Sequence, residues 1–174
     1  MKKKTLWIAE TAVMIALLVA LQGLTKPAGQ FVTGSCVNLI LGVSTLVGGL
    51  WCGFTVALLS PFFAFLLGIG PALIQVVPAI AVGNIALVVL LWFICRKKVG
   101  LNLRCYGGAV VASVFKFAVL YSLVVLLLLP LLGLPEKQVA MMSAMFSWPQ
   151  LVTALIGSIL AVTIAPAIRK ALRR

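Results

Sequence analysis

The sequence predicts an all-α integral membrane protein, one compact bundle of six transmembrane helices over residues 1–174 with both termini cytoplasmic. Three observations predict it. Of 174 residues, 64% are hydrophobic and only 9% are charged, which is more apolar surface than a soluble domain of this size can hide. The apolar residues come in runs close to the roughly 20 residues that a helix needs to cross a bilayer core. The basic residues collect between those runs in three short patches, Lys2 to Lys4, Arg96 to Arg104 and Arg169 to Arg174, as in cytoplasmic loops that face anionic headgroups.

The opening "MKKKTLWIAETAVMIALLVALQG" has the look of a signal peptide. Its apolar run is long enough to span, and Leu18 spoils a small-x-small cleavage site ending at Ala20, so it reads as a retained first helix over residues 6–24. The second helix is expected at 36–52. The third, at 53–70, is interrupted by Ser60-Pro61. The fourth, fifth and sixth fall at 72–95, 107–132 and 147–168. Parity supports the count. With all three basic patches inside, an odd number of helices must lie between residues 36 and 95 and an even number between 105 and 168; three and two fit. The outward loops are then 25–35, 68–72 and 132–149. They are rich in Gly, Pro and hydroxyl residues, with Lys26 and Lys137 as their only basic residues. No internal repeat is evident.

The charge balance excludes several functions. Fourteen Lys and Arg face two acids, Glu10 and Glu136, and there is no Asp or His. The basic patches point to membrane lipids rather than nucleic acid. Metal and phosphoryl-transfer chemistry call for clustered acids or histidines, no Ser–His or Cys–His pair can form, and no Walker-type loop is present. Neither an enzyme nor an ATP-hydrolysing chain is expected. Proton relays favour Asp, Glu and His, so uphill transport would draw its energy from a partner. Cys36, Cys52, Cys95 and Cys105 form no C-x-x-C pair and read as small apolar fillers.

Helix one carries Ala9, Ala12, Ala16, Ala20 and Gly23 at steps of three and four, which keeps them on one face. Such a smooth face permits close helix approach in lipid. Spacing alone favours packing within the bundle over docking to another chain, since helix six has a similar stripe at Ala154, Gly157, Ala161 and Ala165.

A short basic N-terminus, "ETAVMIALLVAL" with Ala12-x-x-x-Ala16, and six compact helices in under 200 residues resemble the S-components of energy-coupling factor (ECF) transporters. The long first outward loop and the ending "FSWPQLVTALIGSILAVTIAPAIRKALRR" resemble them too. The resemblance implies a substrate-capturing subunit in the bacterial plasma membrane that takes a small water-soluble vitamin or related metabolite from the outside. It implies that Ala9, Ala12, Ala16 and Ala20 dock on the coupling transmembrane subunit of the importer. It also implies that this chain carries no cofactor and that two partner ATPases use the ATP.

Lys116 stands in the apolar run "ASVFKFAVLYSLVVLLLLP", roughly 15 Å from the expected start of helix five. A charged lysine near midplane costs at least about 2.5–3.5 kcal/mol. It can shed its charge, hydrogen-bond carbonyls or carboxamides, or meet an anionic ligand in a wet cavity; Glu10 is the competing protein partner. Ala109, Ala112 and Ser113 share its face and leave room for a ligand or for a neighbouring helix.

The other polar candidates for ligand contact are Gln75, Asn84, Trp148, Gln150, Thr153, Tyr121, Asn38 and Gln30. In S-components the pocket is built by the first loop and helices four to six, and the resemblance selects these residues on that ground. Lys116 would meet an acidic or carbonyl group, Trp148 would stack, and Gln75, Asn84 and Gln150 would orient the ligand. Each has a structural alternative. Trp148 fits an interface anchor, Asn84 and Gln75 fit interhelical bonds, and Asn38 fits a helix cap. Pantothenate, nicotinate and biotin are compatible acids. The alternative function is a self-contained channel or facilitator without an ATPase partner.

Overall fold

The structure, a computed structural model, describes residues 2–71, 73–96, 99 and 101–172, with side chains from residue 5 onward. Among the described residues there are six long helices: α1 (Lys2–Thr25), α2 (Gln30–Gly48), α3 (Leu50–Leu66), α4 (Val77–Cys95), α5 (Leu103–Leu120) and α7 (Trp148–Ala171). A short helix, α6 (Glu136–Met145), lies in the loop expected at 132–149. Five helical segments are long and apolar enough to cross a membrane by length and composition. The exception is α3, at 17 residues. Residues 97, 98, 173 and 174 of the basic patches, and Ala72 of the 68–72 loop, lie outside the described residues.

The helix breaks follow local chemistry. Gly29 (φ 87°) and Gly49 (φ 89°) hold a backbone conformation that L side chains rarely adopt, and each stands just before a helix start. Hence α2 begins at Gln30 rather than at residue 36. Past Gly29 the stretch "QFVTGS" holds no proline and continues as helix, and Thr33 Oγ1 donates to Thr25 O across the break. The first loop shrinks to a 3₁₀ turn, Lys26–Ala28, plus Gly29. The α2–α3 boundary likewise falls at Gly49, three residues earlier than expected. Pro61 sits inside α3, which continues through it. Beyond Leu120, α5 continues in π-helical turns, Tyr121–Leu128, then regains α-geometry over Leu129–Leu131. Pro130 has no N–H to close an ordinary helical bond there.

Burial separates the helices. In α2, 56% of the apolar window is buried, against 11% in α1. Thus α2 is the central post and α1 a peripheral one. The α7 helix packs along α2 and α5, α4 packs on α3 and α5, and α1 leans on α2 and α3. Close approach of α2 and α7 depends on Gly157, where an added Cβ would lie 2.5 Å from both Asn38 Cβ and Ser35 O. The stripe that Gly157 shares with Ala154, Ala161 and Ala165 is therefore internal packing. The stripe of α1 differs. Ala9, Ala12, Ala16 and Ala20 are all exposed, while Thr11 and Leu18 turn inward. The expectation of packing within the bundle is corrected for α1.

The main core, including Leu41, Leu46, Val56, Leu87, Leu91, Cys95, Cys105 and Val162, fills the half of the bundle nearer the basic segments. A smaller cluster around Val76, Leu120, Val124, Met142 and Phe146 closes the other end. A cavity lies beside the smaller cluster, whose Leu120 and Phe146 line it.

Candidate functional site

The cavity has a volume of about 340 Å³, within the ordinary range for small-molecule sites. Its walls come from α1, the Lys26–Ala28 turn, α2, the α3–α4 connection, α4, α5 and the α6–α7 junction. These contributors meet at the end of the bundle opposite the basic segments.

Lys116 lines this cavity and is 2% exposed. It lies roughly 20 Å along α5 from Leu103. Its Nζ donates to Asn38 Oδ1 at 2.6 Å and to Asn84 Oδ1 at 2.7 Å. Hydrogen bonds from a charged donor contribute about 1.5–3 kcal/mol each. Two of them offset an insertion cost of the size expected for a lysine at this depth. The expected competition between Glu10 and a polar cavity is thereby decided: the protein partners of Lys116 are two carboxamides. Where Lys116 is protonated, its ammonium has three N–H groups, one more than these two bonds use.

The carboxamides are placed by helix packing. Asn38 Nδ2 donates to Gly34 O on its own helix at 2.8 Å, which fixes the amide with its oxygen free for Lys116. Asn84 follows Gly83, where a Cβ would lie 2.5 Å from Leu120 Cγ. Without a side chain at 83, α4 comes close enough to α5 for Asn84 to reach. Below Lys116 the axis is filled, because Ala109, Ala112 and Ser113 are fully buried. The space that the small residues leave is taken by neighbouring helices, with Ser113 Oγ 3.3 Å from Ser158 Oγ on α7.

The rim is tied by side chain to backbone bonds between segments. Lys26 Nζ donates to Gly68 O at 2.7 Å, and Gln30 Nε2 donates to Met145 O at 2.6 Å. Gln150 Nε2 reaches the same carbonyl at 3.4 Å. These contacts join the first turn to the α3–α4 connection and to the α6–α7 junction.

Of the sequence-predicted residues, Lys116, Asn38, Asn84, Gln30 and Gln150 come together in the cavity wall. Four do not. Trp148 is 61% exposed and packs its ring on Phe31, centroids 5.4 Å apart, so the expected stacking wall is corrected to a rim pair. Gln75 is exposed on a 3₁₀ turn before α4. Tyr121 packs against Phe117. Thr153 is buried and donates to Gln150 O at 3.2 Å. The sequence reading missed Gln22 and the ring of Phe146, and named Lys26 and Thr33 only as polar residues of the first loop; all four line the cavity. Lys26 carried a signal, as one of two basic residues in the loops at this end.

Both ionisable lining residues, Lys26 and Lys116, are basic, and no acid lines the cavity among the described residues. No group of acids, His and Cys that could hold a metal occurs among those residues either.

No curated protein and no solved structure matches the chain. The family of ECF transporter substrate-specific components matches it over residues 7–169, a stretch that includes every wall of the cavity. A helical membrane bundle enclosing a small-molecule cavity is what such a component needs, and the chain belongs to the substrate-specific components of ECF transporters.

Proposed function

We propose that this chain is the substrate-capturing subunit of an ATP-driven ECF importer in a bacterial plasma membrane, and that its substrate is a small water-soluble vitamin or related metabolite bearing a carboxylate. The observation that carries this reading is Lys116, held at the cavity floor by two neutral oxygens with no acid among the described lining residues. The substrate carboxylate takes its remaining N–H, and Lys26 attracts the anion at the rim. Five carboxamides (Gln22, Gln30, Asn38, Asn84 and Gln150) line the cavity beside one aromatic ring, Phe146, among the described residues. That composition favours a saturated, amide- or hydroxyl-bearing acid of the pantothenate or biotin kind over a flat one such as nicotinate.

Both termini are cytoplasmic on this reading, the rim faces outside, and the first turn with Gln30 acts as the cover. The exposed alanines of α1 dock on the coupling subunit, and two partner ATPases hydrolyse the ATP. This chain needs no cofactor of its own. A free-standing channel is less well supported, because the packed core beneath Lys116 leaves the cavity blind at its basic end.

The test is thermal stabilisation of the purified chain in detergent by pantothenate, biotin and nicotinate, each beside an uncharged analogue. Binding to the native state alone raises the melting temperature by mass action. A carboxylate is expected to stabilise the wild type and to lose that effect in Lys116→Ala. Equal stabilisation of both proteins by the same acid refutes the role given to Lys116.

A further inference from the structure

A second cavity, of about 70 Å³, lies at the basic end, remote from the site above. Thr45 and Gly49 of the α2–α3 corner, Trp92 and Arg96 at the end of α4, Val99, and Arg169 near the end of α7 line it. Among the described residues, both charged groups of the lining are arginines and no acid contributes to it.

Two features point to an oxyanion. First, Arg169 Nε is buried and has no hydrogen-bond partner. A buried guanidinium N–H without an acceptor is costly, and an anion in the cleft would supply the acceptor. Second, the Arg96 guanidinium stands over the rings of Trp92 and Phe93, 5.1 and 5.2 Å from their centroids. That aromatic contact leaves guanidinium N–H groups for a planar or tetrahedral oxyanion. Gly49, between the last turn of α2 and the start of α3, lines the cleft beside Thr45, Leu46 and Val47. A Cβ at Gly49 would meet nothing within 4 Å, so the approach is open.

We propose that this cleft binds one phosphate group, gripped by Arg96 and Arg169. Its volume of about 70 Å³ suits a single phosphate group. The phosphate can belong to an anionic lipid headgroup at the membrane surface or to free inorganic phosphate.

Native mass spectrometry of the full chain in an uncharged detergent separates the sources, with phosphatidylglycerol and inorganic phosphate as probes. The variants are Arg96→Gln, Arg169→Gln and, as a control basic residue outside the cleft, Arg104→Gln. Arg96 is exposed, so its loss spares the fold even if Arg169→Gln does not. One retained copy of phosphatidylglycerol, weakened roughly tenfold or more by Arg96→Gln or Arg169→Gln and unchanged by Arg104→Gln, establishes a lipid phosphate site. The same pattern with inorganic phosphate alone establishes a free-phosphate site. Binding of neither probe overturns the proposal, as does binding that all three variants weaken alike or none weakens.

Discussion

At the scale of single residues, the decisive arrangement is one amine between two carboxamide oxygens. Asn38 and Asn84 are isosteric with aspartate yet uncharged. A carboxylate at either position would satisfy Lys116 completely and leave nothing for an incoming anion. Asn84→Asp is therefore expected to raise the melting temperature of the ligand-free protein while weakening a carboxylate ligand roughly tenfold or more. Scanning fluorimetry with and without ligand reads both quantities, and a variant that binds the acid as tightly as wild type would contradict the pairing. Asn84→Leu instead removes one acceptor from a buried donor, and is expected to destabilise by about 1–3 kcal/mol. Lys116, Asn38 and Asn84 each stand out in the sequence as polar groups in apolar runs. Their meeting does not, because one sequence carries no information on how α2, α4 and α5 are rotated about their axes. Charge complementarity pointed to Glu10 for the same reason: opposite charge is visible in a sequence, and the facing of helices is not.

At the scale of elements, glycine decides how near the helices come and hence whether the three residues touch. A Cβ at Gly157 would meet the backbone of α2, 2.5 Å from Ser35 O and 2.7 Å from Leu39 N. Backbone cannot rotate away as a side chain can. Gly157→Ala is expected to cost about 1–3 kcal/mol by overpacking and, by displacing α2 with Asn38, to weaken ligand binding as well. Gly107 lies on an exposed face of α5, where an added Cβ would meet nothing within 4 Å. Gly107→Ala is expected to stabilise by up to about 1 kcal/mol through helix propensity and to leave binding unchanged. Denaturation midpoints and ligand titrations of the two variants check the contrast; a neutral Gly157→Ala would mean that α2 and α7 are not in contact as described. Hydropathy located all six long helices. It misjudged where α2 starts, since the helix extends over the more polar stretch 30–35, and where α3 begins, since a single glycine of positive φ ends a helix without any drop in apolar content. The short α6 was missed because ten residues of mixed character, Glu136–Met145, carry neither a span nor a clear amphipathic face.

At the scale of the whole molecule, two small-residue stripes with the same spacing have opposite fates. The α7 stripe is covered by α2, and Gly157 makes that closeness obligatory. The α1 stripe is left on the outside of a helix that is itself at the edge of the bundle. Spacing cannot separate these cases; the position of the helix in the bundle does. A helix at the edge could have kept Leu or Ile on its outer face at no cost in lipid, as it does at Ile8, Val13 and Leu17. Alanines on that face allow a second helix to approach at backbone distance. The docking reading thus predicts a clean separation of properties. Ala16→Trp adds a large ring to an exposed position and touches neither the core nor the cavity wall. It is expected to abolish co-purification of a coupling subunit and its ATPases while the melting temperature and the ligand-induced shift stay at wild-type values. Ala154→Trp, placed in the buried stripe, is expected to lose stability instead. If Ala16→Trp still recovers the full complex, the alanine face of α1 is only a lipid-facing surface and the coupling subunit must be sought on another helix.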